Sequence, residues 1–599
     1  MKNRSSLGKV LMGNEAIAWG IIEGGSTMVT SYPGTPASEI METVDLITKE
    51  YNLNIYTEWS VNEKVALEVA LTNSYLGRRS AVMMKQMGLN VALDPFMSSA
   101  YTGVRGGFVV IAADDPGPYS SQTEQDSRYL ATFAKIPVFD PSSPQEAKEM
   151  VKKAFELSED YEIPVMVRPT SWVCHARQGV NFESIEESNR APVFKKDPQR
   201  WAATPRFRYL LHKELNRKIR QIAARNHPKP IITPLRPELV VIASGVPYAY
   251  AYDVIKAVGL EGKVALYKVD IPYPLGAGID ELVKTNPQNL ILEETYPVIE
   301  LQIGSREKVR GRLDSTIPSE GELTPDIVAQ VIAMLLGEKV KEIEPPVEGG
   351  RKPSLCPGCP HRAAFWALTK AFPDGIYPSD IGCYTLGLNL KAVDTCLCMG
   401  ASINQAAALY HSFRQGGGEI PPIIATIGDS TFFHAGVPGL INAVHHGASF
   451  ILLILDNGTV AMTGGQPTPA DDSLGKKVKI EELVRGSGVD FIKTVDPYDI
   501  PLLIQTLKEA DRYTRDEQNG VAVVIARHPC LIYGGKGEKK GEGKVIIGEE
   551  CNSCGLCMER FECPAIQKGQ QGEPTIIKDL CTECGVCLFV CSKGAIKRE

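Results

Sequence analysis

Ile423-Ile424-Ala425-Thr426-Ile427-Gly428-Asp429-Ser430 and, with Asn457 standing 28 residues after Asp429, Ile451-Leu452-Leu453-Ile454-Leu455-Asp456-Asn457-Gly458-Thr459 carry the architecture of this chain. Each opens as a continuously apolar run, and helical sequence lies between them. Such runs are the strands of a parallel sheet buried on both faces. Each run ends in a hard oxygen ligand, the carboxylate of Asp429 and the carboxamide of Asn457. Adjacent strand ends can bring both to one hard cation and leave its other positions to a backbone carbonyl and phosphate oxygens. Thr463-Gly464-Gly465 follows, where glycines allow the backbone to approach phosphates closely. A lone Gly-Asp-Ser is usually only a turn; the second ligand at a matching strand end changes that weight.

The same alternation of short apolar runs and helices extends to Phe108–Ile111, Val165–Val167, Leu239–Ala243, Val264–Val269, Leu290–Leu292 and Val521–Ala526. Breaks fall in the polar, Pro-punctuated stretch from about Glu186 to Pro237, which holds a helix around Arg206–Ala224, and at Glu342–Pro353 and Tyr533–Lys544. The expected class is α/β: a doubly wound domain at 1–185, a linker with a helix at 186–237, a smaller α/β domain at 238–341, a second doubly wound domain at 350–532 and a cysteine-rich domain at 546–599. The two large domains show no obvious sequence repeat.

At 599 residues the chain has room for three to five domains. Lys and Arg number 64 against 71 Asp and Glu, a net charge of −7, so no basic face for nucleic acid is indicated. Its longest apolar runs fall far short of the roughly 18 residues of a membrane span, and residues 1–10 lack an apolar signal core. A cytoplasmic protein is expected.

Of 15 cysteines, eight lie between Cys551 and Cys591 and only Cys174 precedes residue 350. In a reducing compartment such clustering points to metal or cofactor ligation before disulfides. Cys551, Cys554 and Cys557, then Cys563, are mirrored by Cys581, Cys584 and Cys587, then Cys591. Zinc sites favour paired C-x2-C units over such triples. The pattern resembles the bacterial ferredoxin run, in which the fourth cysteine of each motif ligates the other cluster. By that rule Cys551, Cys554, Cys557 and Cys591 hold one [4Fe-4S] cluster, and Cys563, Cys581, Cys584 and Cys587 the other. Gly555 and Gly585 stand where the wrapping backbone needs open dihedral space. Two departures are visible: five residues separate Cys557 from Cys563 where three are usual, and Ser592 replaces a proline.

Gly428-Asp429-Ser430 with Asn457 resembles the thiamine diphosphate motif, with Ser430 in place of its second glycine, and nearly the whole chain resembles the 2-oxoacid:ferredoxin oxidoreductases. That resemblance implies two thiamine-type domains, a transketolase C-terminal-like domain between them and a ferredoxin-like tail. It implies Mg2+ on Asp429, Asn457 and the Thr459 carbonyl, with Gly428, Ser430, Thr463, Gly464, Gly465 and Gln466 around the diphosphate. Tyr32-Pro33-Gly34-Thr35-Pro36 is similar to a family motif whose threonine, here Thr35, faces the substrate carboxylate. Glu63, 25 residues before Gly88 in Lys85-Gln86-Met87-Gly88, matches the glutamate that activates the cofactor by holding its aminopyrimidine in the imino form. From the residues alone Glu63 reads as a solvated helix start, with Glu58 a rival. Cys356-Pro357-Gly358-Cys359, Cys383 and Cys530 match the family's ligands for a third [4Fe-4S] cluster near the thiamine. Cys396 and Cys398 match nothing and read as buried thiols, and His434 as a loop or core histidine. The implied activity is oxidative decarboxylation of an aryl pyruvate, indolepyruvate, to acyl-CoA and CO2, with coenzyme A as co-substrate, ferredoxin as electron acceptor and a smaller beta subunit as partner in a heterotetramer. Another 2-oxoacid as substrate, a non-redox thiamine decarboxylase and a pure electron-transfer protein are the alternatives; eight cluster cysteines speak against the second, and Asp429, Asn457 and Glu63 against the third.

Overall fold

A computed structural model describes residues 8–185, 190–202, 204–338, 352–471, 473, 475–516, 518–534 and 543–599. Two of the expected breaks, within 342–353 and 533–544, lie largely outside the described residues. The chain forms two compact units, Met1–Val347 and Glu348–Glu599.

In the first unit, six strands form one parallel sheet in the order Tyr56–Trp59, Met28–Ser31, Ser80–Lys85, Phe108–Ala113, Val165–Val167, Val138–Phe139. Numbered along the chain, the order is 2-1-3-4-6-5. Phe108–Ala113 is wholly buried, as a central strand covered by helices on both faces must be. A second sheet orders Val309–Arg310, Asn289–Leu292, Leu239–Ala243, Val264–Lys268 and Lys229–Ile232, parallel except for the last.

The stretch read as a linker is part of the packed structure. Its helix, Pro205–Arg225, is present, but Leu215 and Ile222 are buried in the core of the first sheet, and Lys229–Ile232 is an edge strand of the second. Its polarity misled because 19 of the helix's 21 residues are not buried.

In the second unit a six-stranded parallel sheet runs Thr395–Cys396, Pro378–Ser379, Ile424–Gly428, Ile451–Asp456, Ala522–Arg527, Phe491–Val495. Its order along the chain is again 2-1-3-4-6-5. The two large sheets thus share a topology without an obvious sequence repeat. The tail adds two antiparallel ribbons, Val545–Ile547 with Ile596–Arg598 and Ile566–Lys568 with Pro574–Ile576. Val545, Phe561, Val586 and Val590 belong to the same apolar core as Phe365, Trp366 and Leu453. Among the described residues no helix is long and apolar enough to cross a membrane.

Within the first unit the two sheets are joined by buried charge. Arg128 is fully buried and donates to Asp126 at 2.6 and 2.9 Å, to Asp140 at 3.3 Å and to Glu293 at 3.4 Å. Arg168 reaches Asp114 at 2.6 Å, Asp140 at 3.5 Å and the Thr295 hydroxyl at 3.2 Å. Burial pushes the Glu293 carboxyl up to about 7 against the pull of Arg128. Removing one partner from such a network leaves uncompensated buried charge, which costs about 3–5 kcal/mol. Arg128→Met is therefore expected to lower the unfolding free energy of the first unit, measured by urea denaturation followed by circular dichroism, by about 3–5 kcal/mol.

Candidate functional site

In a parallel sheet the place for a ligand is outside the carboxyl ends of the strands, where chain order reverses. In the first unit that point lies at Met28–Ser31 and Ser80–Lys85, paired with Ser31 opposite Met83. Tyr32–Pro36 leaves one strand end and Gln86–Gly88 the other. The helix Glu63–Tyr75 is capped by Asn62, whose side chain accepts from the Val65 N–H at 2.9 Å. Glu63, its first residue, is only 5% exposed, so the solvated reading does not hold. A Cβ at Gly88 would lie 2.6 Å from the Glu63 Cγ and Oε1, which makes glycine the residue that admits this carboxylate against the 86–88 turn. Glu58, the rival, is occupied elsewhere, accepting from Tyr56 Oη and Ser60 Oγ at 2.6 Å each. Thr35 is half-buried, and its carbonyl accepts from Ser120 Oγ at 3.5 Å. Lys85, whose stem packs on Gly34, has its amine pushed down by burial, opposed by the charges of Asp115 and Glu63.

In the second unit the corresponding reversal lies at Pro378–Ser379 and Ile424–Gly428. Asp429 follows directly and is 2% exposed. Its Oδ2 is buried with no hydrogen-bond partner. Burial drives this carboxyl well above the ordinary range, and the neighbouring charge of Asp456 drives it further. Asp456 itself is paired with Arg527 at 2.6 Å. A buried carboxylate oxygen without a donor is relieved only by a cation or a proton, so the donor set fits a divalent ion. Asn457, one strand over, is buried; its Oδ1 accepts from the Thr459 N–H at 3.2 Å, and its Nδ2 stands 3.4 Å from His361 Nε2. Thr463 Oγ1 donates to Gln466 Oε1 at 2.7 Å, Gln466 Nε2 to the Thr463 carbonyl at 2.8 Å, and Thr459 Oγ1 to the Gln466 carbonyl at 3.0 Å. This closed loop turns on Gly464 and Gly465, with φ +132° and +86°, and a Cβ at 465 would meet the Tyr533 ring at 2.5 Å. Gly428 lies against Tyr384, whose hydroxyl is 2.6 Å from Thr431 Oγ1, and Ser430 is half-buried.

The cysteines fall into three spatial sets. Cys563, Cys581, Cys584 and Cys587 line one small pocket, and Cys551, Cys554, Cys557 and Cys591 line another. This is the crossed grouping expected of the two motifs. Gly555 and Gly585 both have φ +76°, and Ser553 and Glu583 also have positive φ, so the two loops wrap alike. The lengthened gap is taken up by a turn with Glu562 at φ +49°, and Cys563 still reaches its cavity. In the third set, burial pushes the Cys383 thiol up to about 11, with the charges of Cys356 and Cys530 adding to it. Burial takes Cys359 to about 12, against the N–H groups of His361 and Arg362, and Cys383 again contributes. Cys383 thus lies within electrostatic reach of Cys356, Cys359 and Cys530, which come from two other segments of the chain. No three His, Cys, Asp or Glu side chains among the described residues gather closely enough for a single metal ion; the cysteines of the tail surround volumes.

Cys398 is exposed and Cys396 half-buried, which corrects the buried-thiol reading of both. Strand Thr395–Cys396 is the edge of its sheet, so its flank lacks cover. His434 is buried in the π-helical turn Phe432–Gly436 just after Asp429. Sequence reasoning passed over His361, Tyr384 and Lys85 as site residues. Adjacency to Cys359, Cys383 and Gln86 was the only available signal.

Residues 20–227 match the model of the pyruvate flavodoxin/ferredoxin oxidoreductase thiamine-diphosphate-binding domain, and 380–526 that of the thiamine pyrophosphate enzyme C-terminal TPP-binding domain. Three relatives named indolepyruvate oxidoreductase subunit IorA match end to end. That of Methanothermobacter thermautotrophicus is 41% identical over 98% of this chain and 97% of its own. That of Pyrococcus horikoshii is 39% identical over 98% and 96%, and that of Archaeoglobus fulgidus 38% over 98% and 97%. With both thiamine-domain matches lying on the two sheets that carry the clustered residues, the chain belongs to the indolepyruvate oxidoreductase IorA subunit family.

Proposed function

We propose that this chain is the catalytic subunit of an oxidoreductase that converts indolepyruvate and coenzyme A to the acyl-CoA and CO2, passing two electrons singly to ferredoxin. The observation that carries it is the buried, partnerless Asp429 Oδ2 beside Asn457, in a chain that also gathers three cysteine sets. The substrate follows from the names of relatives that match over nearly their whole length. Their designation as a subunit supports a partner chain, which we take as the smaller beta subunit of a heterotetramer.

Thiamine diphosphate supplies a carbon nucleophile and an electron sink for decarboxylation. Asp429, Asn457 and the Thr459 carbonyl would hold Mg2+, and Gly428, Ser430 and Thr463–Gln466 would shape the diphosphate pocket. Glu63 would accept a hydrogen bond from the protonated aminopyrimidine N1′, and its burial against Gly88 keeps water from competing. Thr35 and the Lys85 ammonium would face the substrate carboxylate. Clusters on the Cys356/Cys359/Cys383/Cys530, Cys563/Cys581/Cys584/Cys587 and Cys551/Cys554/Cys557/Cys591 sets would match a two-electron oxidation to a one-electron acceptor.

The direct test is CoA-dependent reduction of a dye by the purified chain, with and without the partner, across a panel of 2-oxoacids. Indolepyruvate is expected to have the highest kcat/KM, and the chain alone to be inactive; an equal or better rate with 2-oxoglutarate would refute the substrate.

Asp429→Ala is expected to lose bound thiamine diphosphate and Mg2+ while keeping its tail iron. Glu63→Gln, in contrast, should retain the cofactor but slow exchange of its C2 proton by about 100-fold or more. Cofactor content by chromatography and exchange by NMR separate the two roles, and the same exchange defect in Glu58→Gln would reverse the assignment.

Anaerobically prepared protein should contain iron for three [4Fe-4S] clusters, and Cys383→Ala iron for two. Iron unchanged by that substitution would eliminate the third cluster and leave the tail assignment standing.

A further inference from the structure

The helix Pro360–Ala371 starts directly after Cys359, and its third residue, Arg362, is 2% exposed. Its guanidinium reaches in two directions. Nη2 donates to the Leu355 carbonyl at 2.5 Å, next to Cys356, and Nη1 donates to the Phe561 carbonyl at 2.6 Å, two residues before Cys563. Nε is buried without a partner. The Phe561 ring lies 5.7 Å from the guanidinium carbon and meets Trp366 edge-on at 5.8 Å, which fixes the cation between the two cysteine segments.

Both hydrogen-bond partners are neutral carbonyls. Burial, the largest influence on Arg362, works against its charge; the anionic groups that offset burial are Cys563, then Cys359, Glu562 and Cys356. The cysteines nearest the guanidinium thus come from two different sets, Cys563 from one and Cys359 and Cys356 from the other. The loops carrying them touch directly. A Cβ at Gly358 would fall 2.0 Å from Thr582 Oγ1, and Tyr498 Oη donates to the Gly358 carbonyl. At φ +69° Gly358 also adopts a backbone that a larger residue rarely takes.

A guanidinium stays protonated throughout the working pH range. Adding an electron to a cluster adds negative charge beside it, and nearby charge and burial are levers on cluster potential. We infer that Arg362 is a positioning residue that staples the Cys356–Cys359 segment to the Cys563 segment and, as their shared buried cation, raises the reduction potentials of the two clusters flanking it above the values they would otherwise have. The cluster on Cys551, Cys554, Cys557 and Cys591 makes no such contact and serves as the internal reference. This inference rests on the cluster assignments proposed above.

The test uses the full chain with its partner subunit, prepared anaerobically. Iron is counted first, and potentials are then read by EPR-monitored redox titration, with signals assigned through Cys383→Ala. Wild-type iron short of three clusters would defeat the proposed third cluster, while the Cys563 cluster would still report on Arg362. Arg362→Gln is expected to shift the two flanking clusters to more negative potential by about tenfold in the one-electron equilibrium, about 59 mV, and to leave the reference cluster unmoved. Arg362→Lys, which keeps a charge but cannot span both carbonyls, should shift them by less than half as much. No shift in Arg362→Gln, equal shifts of all three clusters, or a lysine variant displaced as far as the glutamine one would overturn the inference. If Arg362→Gln fails to load iron, the charge is upheld by loading of Arg362→Lys and overturned by failure of both.

Discussion

A parallel sheet whose first strand lies inside must send its next two connections to opposite sides, and the gap left between them is the constraint on which both halves of this protein depend. The strand order 2-1-3-4-6-5 occurs twice. At the first gap stand the Tyr32–Pro36 and Gln86–Gly88 segments, with Glu63 packed onto Gly88. At the second stand Asp380–Cys383 and Asp429, with Asn457 on the following strand. Asp380 and Asp429 are buried at the second gap because backbone leaving a buried strand brings its first side chains out between helices.

Two kinds of buried charge serve different ends. In the first unit Arg128 and Arg168 meet Asp114, Asp126, Asp140 and Glu293 in a network that joins two sheets, each charge facing an opposite one. In the second unit Asp429 Oδ2 faces no donor at all. The first arrangement resists removal of a partner but requires no ligand. The second leaves a buried carboxylate oxygen that a proton or a bound cation would relieve, which no ion pair within the chain supplies.

The tail is built into the fold of the unit before it. Phe561 packs on Trp366, Arg362 spans from Leu355 to Phe561, and the apolar residues of both form one core. The Thr582 side chain, seated where a Cβ at residue 358 would stand, makes the same junction from the other cysteine loop. One-electron carriers exchange electrons best at short separation, so a rigid, buried junction between cysteine loops suits the proposed chemistry better than a tethered domain would.

Periodicity and ligand spacing determined much by themselves. Continuous apolar runs placed the parallel strands because such strands have no polar face, and the repeated C-x2-C-x2-C triples grouped the tail cysteines because three thiolates within seven residues must wrap one volume. The candidate pair Asp429 with Asn457 was also legible, since two oxygen ligands lie at matching strand ends, whereas the thiamine-type fold and the role of Glu63 opposite Gly88 were implied only by the family resemblance. Tertiary structure alone decided the rest. The polar helix Pro205–Arg225 belongs to the core through only two buried residues, too few to outweigh its charged surface in the sequence. Glu63 and Glu58 differ in burial and partners, not in local pattern. Arg362 and His361 follow Cys359 as ordinary helix-start residues, and what they touch, Phe561 and Asn457, lies 199 and 96 residues away. Electrostatic and packing partners at such separations depend on how the sheets and loops close, and a linear pattern carries no record of that closure.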